Sequence, residues 1–112
     1  GRQVRDFVYV EDVVQANLLA ASSSQAAGLA INVCSGIETS VLGVLDALRQ
    51  IFTAQGITIP SPQFEAPRQG DIYCSVGDGS LAAQMMGFKA QVPLIEGLTQ
   101  TIAAFYSESM AA

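Results

Sequence analysis

The sequence has 112 residues, of which 50% are hydrophobic and 13% are charged, with a net charge of −5. This length suits a single domain, and the apolar content can form a buried core, which argues against a disordered chain. The five basic residues form no cluster, which argues against nucleic-acid binding. No apolar run approaches the about 20 residues that span a bilayer, so we expect no membrane insertion.

Histidine is absent, which removes the commonest general base and the commonest metal ligand. The two cysteines, Cys34 and Cys74, match no zinc or redox spacing, and we expect two buried, reduced thiols. The chain does not open with the basic and then apolar pattern of a signal segment. These features predict a cytoplasmic protein.

In the first third of the chain, the residue pattern predicts a strand, a helix and a second strand. Residues 5–9 are rich in aromatic and β-branched types, as in strands. From Val10 the apolar period becomes helical, and Glu11 and Asp12 suit the first turn, where carboxylates interact favourably with the helix dipole. The predicted apolar face of this helix comprises Val10, Val13, Val14, Leu18 and Ala21. The serine-rich stretch at residues 22–25 ends the helix, and residues 29–33 predict a short strand.

The remaining chain predicts three more helices around an irregular loop. Thr39 or Ser40 can cap a second helix, which ends near Gly56. Its apolar stripe comprises Val41, Val44, Leu45, Leu48 and Phe52. Prolines make residues 57–70 irregular, and residues 72–75 predict a short extended piece. A short helix at residues 81–86 ends at Gly87, and a last helix follows Pro93 with Ile95, Leu98, Ile102 and Phe105 on one face. This alternation predicts an α/β (α+β) fold, a small mixed domain of short strands and about four helices.

Three stretches carry candidate binding chemistry. Arg5 and Asp6 stand at the head of the first strand, and Arg68 and Asp71 lie in the loop PRQGDI. A guanidinium binds phosphate through paired hydrogen bonds, and loops present binding groups. Each arginine taken alone also fits an ordinary ion pair, with Asp6 or Asp71 as its partner. The third stretch, GDGS at residues 77–80, fits a turn with a helix cap.

No nucleophile and base are paired in the sequence. Without histidine there is nothing to complete the usual triad. Tyr9 and Lys89 are the only candidates for a Tyr/Lys acid–base pair, but 80 positions separate them and nothing in the sequence places them together. We therefore expect Tyr9 to be a packing residue.

The order of five segments resembles a known family. RDFVYVEDVVQA, INVCSG, PRQGDI, MGF and LIEGL are similar in order and spacing to the carboxyl-terminal part of NAD-dependent epimerases and dehydratases, the extended short-chain dehydrogenases that act on nucleotide sugars. The branches of UDP-glucose 4-epimerase and UDP-glucuronate decarboxylase look most similar. RDFVYVEDVV is the most specific segment and PRQGDI the next, and the resemblance covers essentially the whole chain.

This resemblance implies a substrate-binding role. It implies that Arg5 and Arg68 lie near the diphosphate of a nucleotide sugar such as a UDP-sugar, and that Asp71 holds the ribose. It also implies that Phe7 lies near that site, where some relatives carry tyrosine. Leu81 stands where relatives often carry lysine, a change that we expect to remove only a surface charge.

Two sequence motifs of this family are absent from the 112 residues. The family binds NAD through a glycine-rich turn after its first strand and uses a Tyr-x-x-x-Lys pair, and neither occurs here. We therefore expect residues 1–112 to form a single substrate-binding domain without the dinucleotide-binding domain. We expect this chain to bind no cofactor, to be inactive alone, and to bind a nucleotide sugar weakly.

Two interpretations remain open. In the first, the chain is the substrate-binding portion of a nucleotide-sugar epimerase, dehydratase or decarboxylase, either as a fragment or as a shortened gene. In the second, it is a stand-alone domain with a binding or structural role. Because an exposed apolar surface needs a cover, the second interpretation predicts a homo-oligomer.

Overall fold

In the computed structural model, which describes residues 1–111 and the side chains of residues 1–107, four helices surround a small three-stranded sheet. The strands are β1 (Val4–Arg5), β2 (Thr39–Ser40) and β3 (Cys74–Ser75). The helices are α1 (Val10–Ser22), α2 (Val41–Ala54), α3 (Ser80–Met86) and α4 (Leu94–Ala111), and a single 3-10 turn spans Ser24–Ala26. This mixed architecture confirms the predicted fold class.

The sheet places β1 in the centre, antiparallel to β2 and parallel to β3. Val4 pairs with Ser40 on one side and with Cys74 on the other. The strand predicted at residues 5–9 is wrong in extent, because the ladder stops at Arg5. The next residue, Asp6, lies outside the ladder, and its carboxylate accepts hydrogen bonds from two loops.

The predicted strand at residues 29–33 does not form. Within residues 1–111, this segment pairs with no strand, and the third strand is β3. Ile31 and Val33 still pack against the buried cluster. That cluster comprises Ala16, Ala26, Ala82, Met86 and Phe88.

Helix α1 begins at Val10 and ends at Ser22 as predicted, but its predicted apolar face is wrong. Val10, Val14 and Leu18 are 63%, 49% and 59% exposed. The buried positions are Asp12 and Ala16. Small residues explain the orientation, because Ala16 of α1 and Ala82 of α3 share the buried cluster and let the two helices approach closely.

The predicted start and end of helix α2 are confirmed, and the helix packs against α4. The hydroxyl of Ser40 accepts a hydrogen bond from the Gly43 amide at 3.0 Å, and Gly56 follows the helix with φ of +74°. In α4 the predicted face is buried only in part: Leu98 and Ile102 are half-buried, whereas Ile95 and Phe105 are exposed.

The whole chain is open in shape. Its radius of gyration is 16.9 Å, whereas a compact domain of this length has about 13 Å. The extents of 49, 39 and 24 Å describe a flattened, elongated body. No helix among residues 1–111 combines the length and apolar character needed to cross a membrane.

Candidate functional site

The short parallel pairing of β1 with β3 brings two of the three predicted site residues together. Arg5 stands at the end of β1, and Asp71 lies three residues before β3. Nη2 of Arg5 donates to Oδ1 of Asp71 at 2.9 Å, and the two side chains are 32% and 34% exposed. Of the two aspartates considered as arginine partners, Asp71 is therefore the one that pairs with Arg5.

Two further hydrogen bonds hold the side chains of this ion pair in place. Nη1 of Arg5 donates to the carbonyl of Val4 at 2.8 Å, which holds the guanidinium against its own strand. Nε2 of Gln3 donates to Oδ2 of Asp71 at 3.3 Å. Each oxygen of Asp71 therefore has one donor, and both donors come from the chain around β1.

Arg68 lies in the same turn as Asp71, but its side chain stays in solvent. The amide of Asp71 donates to the carbonyl of Arg68 at 3.2 Å, and Gly70 between them has φ of +83°, a conformation that favours glycine. Within the described side chains, no hydrogen bond or ion pair engages the guanidinium of Arg68. The turn thus presents the Arg68 cation three residues from Asp71, the partner of Arg5.

Asp6 has a different role from its neighbour Arg5. Its Oδ1 accepts from the Ser35 amide at 2.8 Å and the Ser35 hydroxyl at 2.6 Å, and its Oδ2 accepts from the amides of Gly36 at 2.8 Å and Gly77 at 3.2 Å. Burial acts to raise the pKa of Asp6, but hydrogen bonds from Ser35, Gly36 and Gly77 outweigh it and hold that pKa below its ordinary value. Asp6 therefore ties the loop after residue 33 and the loop before α3 to the end of β1.

Sequence reasoning missed this junction because its partners are far from Asp6 in the chain. The available signal is the small residues at both partner positions, which leave backbone amides open to a carboxylate. Cys34 packs at the same place: a Cβ on Gly77 would lie 2.6 Å from its Sγ. Burial, followed by the charge of Asp6, raises the pKa of the Cys34 thiol.

The expectation of two buried thiols is wrong. Both cysteines are free, but Cys34 is half-buried and Cys74 is exposed. Cys74 lies on β3, an edge strand whose two residues are both exposed.

The stretch GDGS forms a turn and a helix start, as predicted. Oδ1 of Asp78 accepts from the amide of Ser80 at 2.9 Å, and α3 begins at Ser80. Hydrogen bonds from the backbone and then the hydroxyl of Ser80 lower the pKa of Asp78. Gly87 ends α3 with φ of +66°.

Asp12 is a tertiary contact as well as a first-turn acid. It is 4% exposed, and its two oxygens accept from the amides of Gln91 and Val92, both at 3.0 Å. The helix-dipole interpretation is therefore incomplete, because this carboxylate fixes the segment that leads into α4.

Tyr9 and Lys89 do not form a pair. The Tyr9 hydroxyl donates to Oε1 of Gln100 at 2.9 Å, and its ring packs against Gly97. Lys89 instead lines a shallow pocket of about 250 Å³ that also includes Cys34 and Ser35. Tyr9 is thus a packing residue, as predicted.

The last two positions that the resemblance singled out are both on the surface. Phe7 is 42% exposed and Leu81 is 36% exposed. Among the side chains of residues 1–107, no group of three acidic, cysteine or histidine residues is placed to hold a metal ion.

Comparisons with known proteins give this arrangement a context. Residues 1–34 match the NAD dependent epimerase/dehydratase family. The chain is 34% identical over 112 residues to the UDP-glucose 4-epimerase of Mycolicibacterium smegmatis, and the match covers 97% of this chain and 33% of that protein.

Two solved structures share the fold. The UDP-glucose 4-epimerase of Thermotoga maritima with UDP-glucose has a TM-score of 0.85 and 34% identity, over 96% of this chain and 33% of that one. The UDP-glucose 4-epimerase of Stenotrophomonas maltophila with bound NAD and formylated UDP-arabinopyranose has a TM-score of 0.87 and 31% identity, over 98% of this chain and 32% of that one.

The chain therefore spans about a third of the length of the relatives that it matches. Sequence and fold together match the carboxyl-terminal part of the NAD-dependent epimerase/dehydratase family.

Proposed function

We propose that these residues form the substrate-binding part of an NAD-dependent nucleotide-sugar epimerase or dehydratase. Arg5, Arg68 and Asp71 bind the nucleotide end of the substrate. The observation that carries this proposal is the ion pair of Arg5 with Asp71 at 2.9 Å, which gathers residues 66 positions apart beside the turn that holds Arg68. Similarity to epimerases solved with UDP-glucose supports the choice of ligand class.

The chemistry of the three side chains fits a nucleoside diphosphate. A guanidinium carries five N–H donors, and the two hydrogen bonds of Arg5 leave the others available for phosphate oxygens. Arg68 adds a second cation in an exposed turn. The carboxylate of Asp71 accepts hydrogen bonds and suits a ribose hydroxyl. Together they fix the end of the substrate that does not react, which orients the sugar.

We propose that this portion binds without turning over. The 112 residues include no Tyr-x-x-x-Lys pair and no glycine-rich turn after the first strand, so they supply neither the acid–base pair nor the NAD site of the family. Hydride transfer requires the remaining part of the family's fold. The exposed turn around Arg68 also keeps affinity low, because ordering it on binding opposes association.

Titration of a nitrogen-15-labelled sample with UDP tests the proposal. We expect amide shifts at millimolar UDP to concentrate at Arg5, at residues 68–71 and in β3. Uridine, which lacks the phosphates, should shift Asp71 more than Arg68. Unchanged spectra at millimolar UDP, or shifts confined to another surface, would overturn the assignment.

A second candidate role is self-association as a stand-alone domain. The observation that favours it is the outward apolar face of α1, formed by Val10, Val14 and Leu18. Its cover is then another copy, which also accounts for the open shape of the single chain. Leu18→Lys should shift a dimer toward monomer in sedimentation velocity, whereas Leu81→Lys should not, and a wild-type monomer at working concentration would exclude this role.

We also assign the intact protein to the cytoplasm. The free thiols of Cys34 and Cys74 fit a reducing compartment. A disulfide-linked species isolated from cells without reductant would contradict this assignment.

A further inference from the structure

Gln3 donates a second hydrogen bond to the carboxylate of Asp71, which is already paired with Arg5. Its Nε2 donates to Oδ2 of Asp71 at 3.3 Å, while Nη2 of Arg5 donates to Oδ1 at 2.9 Å. Gln3 and Arg5 are two positions apart on extended backbone, so their side chains emerge on the same face. We infer that Gln3 is a positioning residue of the candidate site, which holds Asp71 in place for a nucleotide ligand.

The backbone on both sides of this contact is already fixed. The carbonyl of Gln3 accepts from the Val41 amide at 3.1 Å, and the Val4 amide donates to the Tyr73 carbonyl at 2.7 Å. These bonds tie Gln3 to the start of α2 and tie the chain after Asp71 to β1. At this contact only the side chains of Gln3 and Asp71 therefore remain to be ordered, which lets one carboxamide act on one carboxylate.

The contact with Asp71 sets the orientation of the Gln3 carboxamide. Oε1 of Gln3 is buried and has no hydrogen-bond partner among the described residues. Rotating the amide by half a turn would bury an unpaired NH₂ and point a carbonyl oxygen at a carboxylate, which is repulsive. The observed orientation leaves one acceptor unpaired and keeps the donor on Asp71, so the contact with Asp71 decides it.

The contact between Gln3 and Asp71 also affects Arg68, through the short turn that joins Arg68 to Asp71. In this turn the Asp71 amide donates to the Arg68 carbonyl at 3.2 Å, and the whole segment at residues 60–71 is exposed. Fixing the Asp71 side chain therefore fixes one end of the turn that presents Arg68. Gln3 thus acts through Asp71 and touches neither the diphosphate nor the sugar. This inference rests on the proposed function.

UDP affinity, measured by chemical-shift titration, tests the role with wild type and four variants. We expect Gln3→Ala to weaken UDP binding about five-fold, the value of one ordinary hydrogen bond. Gln3→Glu should weaken UDP binding further, because it places a second carboxylate against Asp71. In the Asp71→Asn background the same Gln3→Glu change meets a donor, so the double variant should bind UDP about as well as Asp71→Asn alone. Urea unfolding of the same proteins separates this coupling from a role limited to folding, in which affinity would fall only as far as stability falls.

A ligand-free measurement distinguishes failure of the positioning role of Gln3 from failure of the proposed function. The side-chain amide resonance of Gln3 should move in Asp71→Asn and stay in place in Asp46→Asn, whose carboxylate contacts Arg49. An insensitive Gln3 resonance, or a Gln3→Ala protein that binds UDP as wild type does, overturns the positioning role and leaves the proposed function standing. A wild-type protein that ignores UDP overturns the proposed function, and the role of Gln3 in it falls too.

Discussion

Arg5 donates to Asp71 at 2.9 Å, so the arginine proposed to bind phosphate is already paired with a carboxylate when no ligand is bound. A diphosphate must share or displace that partner. The two side chains are about one-third exposed (32% and 34%), and exposed pairs of this kind contribute at most about 1 kcal/mol. We therefore expect the competition to be weak, and we expect Asp71 to oppose diphosphate binding at Arg5 while it favours ribose binding.

Asp71→Asn separates these two effects. Freeing Arg5 should raise the affinity for inorganic pyrophosphate by up to about five-fold, whereas losing the carboxylate should lower the affinity for uridine. Calorimetric titration with each ligand measures both. Asp46→Asn is the matched control, because it frees Arg49 from an exposed pair on α2. A change of the same sign for both ligands would contradict the opposed roles.

Asp6→Asn should destabilise the fold. The variant places an NH₂ group among N–H donors that now meet a carboxylate, and we expect a loss of about 1–3 kcal/mol in the free energy of unfolding. Urea unfolding at neutral pH measures it. Asp46→Asn again serves as the control, and equal stability of the two variants would show that the four hydrogen bonds to Asp6 contribute nothing measurable.

The same residue predicts a pH dependence. The folded pKa of Asp6 lies below the ordinary value of 3.8, so the unfolded chain binds more protons in that range. The stabilisation is present above the unfolded pKa and is lost as the pH falls through the folded pKa. Between pH 5 and pH 3, wild type should therefore lose more stability than Asp6→Asn, and parallel curves would count against this.

Gly77→Ala should destabilise the junction at Asp6 by steric conflict. A Cβ at this position would lie 2.6 Å from both Cβ and Sγ of Cys34, whereas a Cβ at Gly79 would lie 3.6 Å from Sγ. We expect a loss of about 1–3 kcal/mol for Gly77→Ala and little change for Gly79→Ala. Thermal unfolding compares them. Cys34→Gly removes both opposing atoms, and a Gly77→Ala penalty that persists in that background would refute the steric cause.

Asp12 and Glu11 distinguish a helix-dipole effect from a tertiary one. Both lie in the first turn of α1, where loss of a carboxylate costs about 0.3–1 kcal/mol through the dipole. Asp12→Ala also leaves the amides of Gln91 and Val92 without an acceptor, and we expect about 2–3 kcal/mol. Urea unfolding of Asp12→Ala and Glu11→Ala measures the difference. Equal losses would support the local interpretation.

Local signals explain the parts of the fold that could be predicted. The start of α2 depends on Ser40 and Gly43, three positions apart, and the end of α3 depends on the positive φ of Gly87. Capping residues and glycines act within one turn of the helix, so their pattern is visible in the sequence.

Long-range packing explains the parts that could not. The predicted face of α1 is wrong because large side chains do not mark its buried side: Ala16 is 1% exposed and Leu18 is 59% exposed. The segment at residues 29–33 has the residue types of a strand, but a strand also needs a partner, and none pairs with it in residues 1–111.

The site shows the same division between local and distant causes. Arg5 and Arg68 stand out in the sequence as rare basic residues, and Asp71 is one of two possible partners for them. The choice of Asp71 over Asp6 depends on the register of β1 with β3, which no local pattern encodes. Gln3 and the junction at Asp6 escape prediction, because their contacts span 68 and up to 71 positions.

UDP affinity of the Arg68→Ala variant tests the central claim most directly. The exposed side chain of Arg68 makes no hydrogen bond or ion pair within the described side chains, so its removal should leave folding unchanged. We expect UDP-induced shifts at millimolar ligand in wild type, at least about ten-fold weaker binding in Arg68→Ala, and no change in the control Arg49→Ala. Spectra of wild type that do not respond to UDP, or equal affinities for the two variants, would contradict the assignment of this site.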